Sequence, residues 1–319
     1  LNVREIDIQV LIFELPLSLF TCKTLTQLRI GHGNPTSLVW ECPCPVNLPC
    51  LKTLDVAVRD NPFVNAFELI RGCPVLESLS FEVIIHKEEE EDYVFNIPTL
   101  KRLKLTLQSV CSWVTKKVML NVPSLEYLFV GGMLGSLFVV EDLSSLVEVS
   151  VSFQRVQSDD MYLEFLKGIS GVKSLSIEKL YTSLKFLFTS VRPIFPNMKH
   201  LELKTYWHSE LILKYLESCP ELKHLFIEKL TGKHWIEPKL VPACMLTNLT
   251  TIKISICEGV EPVIEFLKYM LGNAKILKTV TITWNIYCVE EEKRLCAELL
   301  EFPRASRYCE IRFILLVAS

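Results

Sequence analysis

Cys42, Cys44 and Cys50, with His32 nearby, carry the sulfur and nitrogen atoms that bind zinc. However, the single residue between Cys42 and Cys44 departs from the spacing of about two to four residues that is usual for structural zinc sites. The sequence therefore favours partly buried thiols in a connecting loop over a zinc site, which remains the alternative.

Histidines and acids form two further groups of titratable side chains. A metal ion between His200 and His224 would find only Glu202 as another nearby ligand, so the sequence predicts no metal site and no cofactor. The acidic run at 88–92 is interpreted as a solvated loop, with attraction of a basic partner as the alternative. Glycine-rich phosphate loops, nucleophile elbows and paired catalytic carboxylates are absent, and we predict no enzymatic activity.

The composition narrows the class of protein. A formal charge of −3 argues against a general surface for nucleic acid or anionic membranes. The twelve cysteines are scattered and follow no secretory signal, which predicts a reducing compartment, either cytoplasm or nucleus. The longest apolar run, about 128–140, is too short to span a bilayer. The charge and this run together predict neither nucleic-acid nor membrane partners.

The stretch CPELKHLFI at 219–227 has a near-copy, CPVLESLSF, at 73–81. Aligned on the leucine after Cys-Pro-x, here called the anchor, the pattern Leu-x-x-Leu-x-apolar occurs eleven times, with anchors 21 to 28 residues apart. An earlier copy begins at Val3. The anchors are Leu25, Leu51, Leu76, Leu100, Leu125, Leu146, Val172, Met198, Leu222, Leu249 and Leu277. A period of about 25 residues indicates leucine-rich repeats.

Two positions before the anchor support this alignment. The residue three before it is apolar in all eleven copies, so the cysteines there, Cys22, Cys73 and Cys219, are interpreted as small buried hydrophobic residues. Proline stands two before it in six copies, which marks the change from connecting segment to strand because proline fixes φ. The asparagine ladder of regular leucine-rich repeats is missing.

Helical spacing of apolar residues at 160–167, 210–217 and 262–271 predicts that each unit is a strand, a turn, a helix and a turn. One such unit cannot bury enough apolar surface to fold alone, so units must stack. We therefore predict an α/β fold: a leucine-rich-repeat solenoid, a right-handed horseshoe with a parallel sheet on its concave side. A short helix within 290–301 and a half-buried strand from Cys309 to Leu315 should cap it, the strand pairing beside that at 277–282.

Side chains between the buried leucines should face the concave surface, where neighbouring strands bring them together. Two clusters are candidates for contact with a partner, because exposed aromatic and arginine side chains are common interface anchors. Their alternative is burial beneath loops or the C-terminal segment. The first comprises Arg102, Lys104, Tyr127 and Phe129 with Glu148 beside them, and the second comprises His200, His224 and Phe226.

The last third of the chain resembles the FBD domain of plant F-box/leucine-rich-repeat proteins. The similarity lies in WIEP at 235–238, VPAC at 241–244, LTTIKI at 249–254, EFLKYML at 265–271, LKTVTI at 277–282 and FPRAS at 302–306. LPLSLF at 15–20 with CKTL at 22–25 resembles the first repeats of the family. The resemblance divides the chain into a leucine-rich-repeat solenoid, 1–234, and an FBD domain, 235–319, that continues and caps it.

The resemblance implies a non-catalytic, protein-binding region that recognises substrates for an SCF-type ubiquitin ligase in the ubiquitin-like conjugation pathway. We expect a protein substrate on the concave face. A Skp-type adaptor and a cullin would bind only through an F-box, which we expect to be missing from this chain. Two alternatives remain open: a small-molecule sensor on the concave face, roofed by connections such as 31–48 and 82–97, and an interaction or decoy protein without an F-box.

Overall fold

A computed structural model describes residues 3–8, 16–31, 45–59, 63–85, 92–109, 117–134, 137–156, 158–180, 193–231, 235, 237–256, 261–285 and 296–316. The chain forms two compact units, Leu1–Ile169 and Ser170–Ser319. Each unit contains a parallel sheet assembled from successive repeats, so the predicted α/β class and repeat architecture are confirmed.

Unit 1 holds seven strands of the repeat sheet within its described residues. Each strand pairs in parallel with the strand of the next repeat. In this order they are β1 (Glu5–Ile8), β2 (Gln27–Ile30), β3 (Thr53–Arg59), β4 (Ser78–Ile85), β6 (Arg102–Ser109), β8 (Tyr127–Leu134) and β10 (Glu148–Val156). The described parts of its connections include a 3₁₀ helix (Leu17–Thr21) and the α-helices α1 (Phe63–Arg71) and α2 (Asp159–Gly168).

The connections between residues 92 and 142 differ from the prediction of one helix in every unit. They form a second parallel sheet of three strands, β5 (Tyr93–Asn96), β7 (Lys117–Asn121) and β9 (Leu137–Asp142). The physical reason is period-2 burial, since Tyr93 and Phe95 are buried while Val94 between them is half exposed. Both rings face the core, and Phe67 of α1 contacts Phe95 at a ring-centroid distance of 5.4 Å.

Unit 2 continues the same plan. Its strands pair in parallel in chain order: β11 (Ser174–Leu180), β12 (His200–His208), β13 (His224–Thr231), β14 (Thr251–Ile256), β15 (Thr279–Asn285) and β16 (Glu310–Leu316). The helices within its described residues are α3 (Ser209–Ser218), α4 (Ala243–Thr247) and α5 (Glu261–Asn273), and 296–301 is also helical. The helices predicted at 160–167, 210–217 and 262–271 are thus confirmed as α2, α3 and α5.

The C-terminal strand pairs beside β15, as predicted. Phe313, on the side that the alternation predicts to be buried, is 37% exposed, whereas Ile314 lies on the side predicted to be exposed and is 45% exposed. The described residues place a neighbouring strand on only one side of β16, which explains this exposure. The segment that precedes β16 is held against the anchor of β15, because the buried hydroxyl of Ser306 donates a hydrogen bond to the carbonyl of Leu277 at 2.6 Å.

Every described repeat strand from β2 to β15 that belongs to the repeat sheet starts two residues after its anchor. A repeated backbone arrangement fixes this register without an asparagine ladder. The carbonyl of the residue after one anchor accepts two N–H groups from the next repeat: Lys101 O accepts from Glu126 (2.8 Å) and Tyr127 (3.1 Å). Because backbone groups make these bonds, the positions need no particular side chain.

The Cys-Pro-x-Leu motif forms a four-residue turn. The anchor N–H of Leu76 donates to Cys73 O, and that of Leu222 donates to Cys219 O, both at 3.2 Å. Proline takes the second place of this turn, where its fixed φ is favourable. The prediction that proline marks the entry to the strand is confirmed.

Burial also follows the repeat. Cys73 and Cys219 are buried as predicted, beneath anchors such as Leu76 and Leu222 that have no exposed surface. The same position is only partly buried at Cys22, Leu143 and Leu246, which corrects the interpretation of Cys22 as a buried residue.

Candidate functional site

The side chains between the buried leucines form an exposed surface on each repeat sheet, here called the open face of unit 1 or of unit 2. On the open face of unit 1, Arg102 of β6 pairs in register with Tyr127 of β8. The guanidinium carbon of Arg102 lies 4.5 Å from the centre of the Tyr127 ring. This is a cation–π contact in which the ring holds a charged group in place at the surface.

The next row repeats the arrangement. Lys104 pairs with Phe129, and its ammonium nitrogen lies 5.7 Å from the ring centre. A Cβ added at Gly131 would come within 2.8 Å of the Phe129 ring, so the glycine leaves the space that this ring occupies. Gly132 has φ of 90°, and the register between β8 and β10 shifts just beyond it. Gly131 therefore leaves room for the Phe129 ring, and Gly132 lies where the regular pairing of β8 with β10 ends.

Within the described residues, Arg102 and Lys104 have aromatic and hydroxyl neighbours in place of an ion-pair partner. Arg102 and Lys104 are exposed, and neither forms an ion pair with another described residue. Ser78 and Ser80 pair with them in register from β4, and Glu148 pairs with Tyr127 from β10. The structure thus brings the first predicted cluster together, with hydroxyl groups on one side and a carboxylate beyond the aromatic row.

The second predicted cluster lies on the open face of unit 2. His200 of β12 and His224 of β13 pair in register, and their rings stack with centroids 4.6 Å apart and planes 16° from parallel. Burial lowers the pKa of His224, and the nearby charges of His200 and Lys223 lower it further. The neutral form of His224 is therefore favoured at neutral pH.

Phe226 lies beside this stack and carries a cation that the predicted cluster did not include. Lys253 pairs with Phe226 from β14, and its ammonium nitrogen lies 5.2 Å from the ring centre. Glu202 is already satisfied, since it accepts a hydrogen bond from Ser176 at 2.8 Å and lies 3.5 Å from the Lys204 ammonium. The signal for Lys253 was its place in the repeat, four residues after the anchor Leu249, beside Phe226.

Sequence reasoning missed a third cation–aromatic pair, Tyr206 with Lys229. These residues pair beyond a register shift, and the Lys229 ammonium lies 4.7 Å from the Tyr206 ring centre. The shift occurs at Thr205, whose φ of 66° is unusual for a residue with a side chain. The Thr205 N–H donates to Glu228 at 2.8 Å, which holds the bulge. The Leu-x-x-Leu pattern does not indicate such an insertion.

Other predicted features carry less information. His32, Cys42 and Cys44 lie outside the described residues, as do 88–91 of the acidic run, while Cys50 is exposed. Among the described residues, no group of three His, Cys, Asp or Glu side chains could hold a metal ion. In the same residues no helix has the length and apolar character needed to cross a membrane.

A groove of about 490 Å³ lies in unit 1 between α1 and β5, away from the open face. Its lining is mostly apolar, including Phe67 and Val94, with Arg71 and Asn96 at its polar positions. The groove marks the place where a helical connection gives way to the three-stranded second sheet. None of the residues that line it belongs to either candidate cluster.

Comparison with known proteins agrees with this architecture. The family model FBD matches residues 237–282, which include α4, β14, α5 and most of the described part of β15. The model "FBD-associated F-box protein At5g56370, LRR repeats" matches residues 2–137. Trp235, just before the FBD match, packs on α5 with its ring centre 5.4 Å from that of Tyr269.

Curated relatives from Arabidopsis thaliana align over nearly the whole chain. F-box/FBD/LRR-repeat protein At3g26920 is 31% identical over 95% of this chain and 70% of the relative. F-box protein At3g62430 is 30% identical over 97% of this chain and 74% of the relative. F-box/FBD/LRR-repeat protein At1g78750 is 29% identical over 94% of this chain and 68% of the relative. The chain therefore belongs to the plant family of F-box/FBD/leucine-rich-repeat proteins.

Proposed function

We propose that this chain is the protein-binding, substrate-recognition region of an SCF-type ubiquitin ligase receptor in the cytoplasm or nucleus. The observation that carries the proposal is the row of aromatic side chains on the open face of unit 1. Tyr127 and Phe129 stand side by side on β8, each beneath a cation from β6. Aromatic and arginine side chains at a surface are the residues that most often dominate binding energy.

The open face of unit 2 supports the same proposal with a different chemistry. It offers the His200–His224 stack, Phe226 beneath Lys253, and the exposed Tyr206 ring beneath Lys229. All of these side chains are attached to strands, which hold them more rigidly than loops would. A partner therefore meets preformed contacts. Its binding costs this chain little side-chain entropy, because these side chains are already ordered.

Membership of this family supports a division of roles between this chain and other subunits. Relatives named as F-box proteins support attachment of the full-length gene product to a Skp-type adaptor and a cullin, which the F-box would provide. In that assembly ubiquitin transfer comes from other subunits, and this chain contributes recognition without catalysis. We further propose residues 1–234 as the leucine-rich-repeat solenoid and 235–319 as the FBD domain that continues and caps it.

The test uses the full-length gene product expressed in plant cells. We expect the adaptor and cullin to copurify with it, and we expect cross-linked partner proteins to accumulate when the proteasome is inhibited. The double variant Tyr127→Ala/Phe129→Ala should retain the adaptor and lose the partner. Val94→Ala is the matched control, since this side chain is 50% exposed on the second sheet of the same unit.

Two results would contradict the proposal. One is a full-length product that contains an F-box and does not bind the adaptor. The other is a partner that binds the double variant as well as it binds the original protein. Circular dichroism and thermal unfolding of each variant distinguish loss of contact from loss of fold.

A further inference from the structure

We infer that the first cluster recognises an extended acidic segment of the partner, with carboxylate side chains at alternate positions. The inference rests on the proposed function and names the chemistry of the segment that it binds. Arg102 and Lys104 are two residues apart on β6, so their side chains leave the sheet on the same face about 6.6 Å apart. An extended peptide presents alternate side chains with the same spacing.

The two cations are prepared for an acceptor that the described residues do not supply. An arginine stacked on an aromatic ring keeps its N–H groups in the guanidinium plane, where they can donate to a carboxylate in a bidentate manner. Neither Arg102 nor Lys104 has a carboxylate of a described residue within ion-pairing distance. Like charges at such separation repel each other, and a bound anion would relieve that repulsion.

Neighbouring side chains restrict the shape of the segment. Ser78 and Ser80 lie one strand away and add hydroxyl donors along the same line. Three acids lie around these two cations. Glu148 is two strands from Arg102 at the same register position, and Asp55 is two strands from Lys104 at the same register position. Glu82 lies on β4 two residues beyond Ser80, where it accepts a hydrogen bond from Gln108 at 3.0 Å. These acids disfavour a broad acidic surface. A narrow strand-like segment along β6 avoids them.

The geometry favours carboxylates on a peptide over a nucleic acid. Phosphates of a nucleic-acid backbone would extend beyond the two cations toward the surrounding acids, where like charges repel. A short peptide can place neutral side chains there. The proposed ligand is therefore an unmodified acidic peptide, and the binding experiment includes a phosphorylated peptide for comparison.

The binding experiment uses this chain and labelled octapeptides at low ionic strength, measured by fluorescence anisotropy. The peptide ETETETET places glutamates at alternate positions, whereas EETTEETT has the same composition with no two glutamates two residues apart. We expect ETETETET to bind about threefold more tightly than EETTEETT, and its affinity to decrease with added salt because the charges are exposed.

Variants assign the effect to the two cations. Arg102→Gln/Lys104→Gln should weaken ETETETET by about tenfold, whereas Lys117→Gln, which removes a charge from β7 on the second sheet, should leave it unchanged. Arg102→Glu/Lys104→Glu should reverse the preference and bind KTKTKTKT instead. Unchanged thermal unfolding of each variant excludes misfolding as the cause.

The inference is overturned if the two glutamate peptides bind equally, if the neutral double variant binds like the original, or if Lys117→Gln weakens binding to the same degree. Binding of only a phosphoserine peptide (alternating with threonine) would also overturn it. One combination of results would overturn the acidic-segment inference and leave the proposed function standing. In it, Arg102→Gln/Lys104→Gln still attaches to the adaptor and captures the partner, whereas Tyr127→Ala/Phe129→Ala no longer captures the partner.

Discussion

The imidazole rings of His200 and His224 lie in a parallel stack, with centroids 4.6 Å apart. The two residues occupy the same register position on neighbouring strands, so the backbone pairing itself enforces their proximity. Burial is the largest cause of the lowered pKa of His224, followed by the charges of His200 and Lys223. Protonation of His224 in the folded state is therefore disfavoured.

We predict that acid destabilises the protein in part through His224. Because its pKa is lower folded than unfolded, the unfolded chain binds this proton more readily. The stabilising contribution is present above the unfolded pKa of about 6.5 and is lost as pH falls through the folded pKa. Between about pH 7 and pH 5, the thermal midpoint of the original protein should decrease more than that of His224→Gln. Thermal denaturation followed by circular dichroism measures this.

A variant at the neighbouring ring separates the two main causes. His200→Gln removes the charge of His200 but leaves burial, so the pKa of His224 should rise only part of the way toward its ordinary value. Titration of the His224 ring by NMR measures the shift, with His208→Gln as a control on the same strand. An unshifted or raised His224 pKa in the original protein would refute the argument.

Gly132 provides a second prediction. Its φ is 90°, and an added Cβ would lie 2.1 Å from the carbonyl oxygen of Leu107. We expect Gly132→Ala to lower the free energy of unfolding of unit 1 by about 1–3 kcal/mol, because both the backbone and its neighbour must shift. Chemical denaturation, with hydrogen exchange to assign the affected unit, measures this change.

Gly272→Ala is the matched control for Gly132→Ala. Gly272 lies near the end of α5, and apart from its chain neighbours and the backbone of its own helix no heavy atom lies within 4 Å of an added Cβ. Alanine there should raise the free energy of unfolding by up to about 0.5–1 kcal/mol because it reduces the backbone freedom of the unfolded chain. Equal effects from the two substitutions would be inconsistent with the backbone geometry described for β8.

The repeat sheet could be predicted because its determinants recur in every unit. A strand such as β8 begins two residues after its anchor, Leu125, and buries Leu128 and Val130 on one face. Shifting the register by one residue would expose that apolar face, so the pattern specifies one alignment. The same logic places Arg102 beside Tyr127 and His200 beside His224 from the sequence alone.

The second sheet was not predictable by the same reasoning. Connecting segments such as 93–96 and 117–121 are short, and a short apolar run fits either a helix or a strand. Their form depends on the adjacent connection: Val118 and Leu120 of β7 are buried, and β7 pairs with β5 on one side and β9 on the other. The sequence signal for β5 was the apolar pair Tyr93 and Phe95, two residues apart. This pair distinguishes a strand from a helix only when the neighbouring strands are known.

The bulge at Thr205 leads to a third prediction. Residues with a side chain occupy the left-handed region at a cost of about 1–2 kcal/mol, which glycine avoids. Thr205→Gly should therefore raise the free energy of unfolding of unit 2 by roughly 1 kcal/mol, after allowance for the greater freedom of glycine when unfolded. Urea denaturation measures the change. A lower stability of Thr205→Gly would show that its side chain contributes more than its backbone strain costs.

The carboxylate that holds this bulge can be tested separately. Glu228→Ala removes the acceptor of the Thr205 N–H and should destabilise unit 2 by about 1 kcal/mol. Glu221→Ala removes an exposed acid from the turn before the same strand and serves as the control. Because the bulge displays Tyr206, Glu228→Ala should also weaken any partner contact made by that ring.

Thiol reactivity supplies the last prediction. Burial raises the pKa of the Cys244 thiol to about 12, and its Sγ–H donates to the carbonyl of Leu216 at 3.4 Å. At Cys22, hydrogen bonding from the backbone N–H and side chain of Thr24 lowers the thiol pKa. Since the thiolate is the reactive form, native-state alkylation with iodoacetamide should modify Cys22 and the exposed Cys50 well before Cys244. Mass spectrometry of timed samples measures the order, and alkylation in guanidinium, where all twelve cysteines should react, provides the control. Modification of Cys244 as fast as Cys50 would contradict the burial of the Cys244 thiol against α3, because a thiol buried there can react only after that part of unit 2 opens.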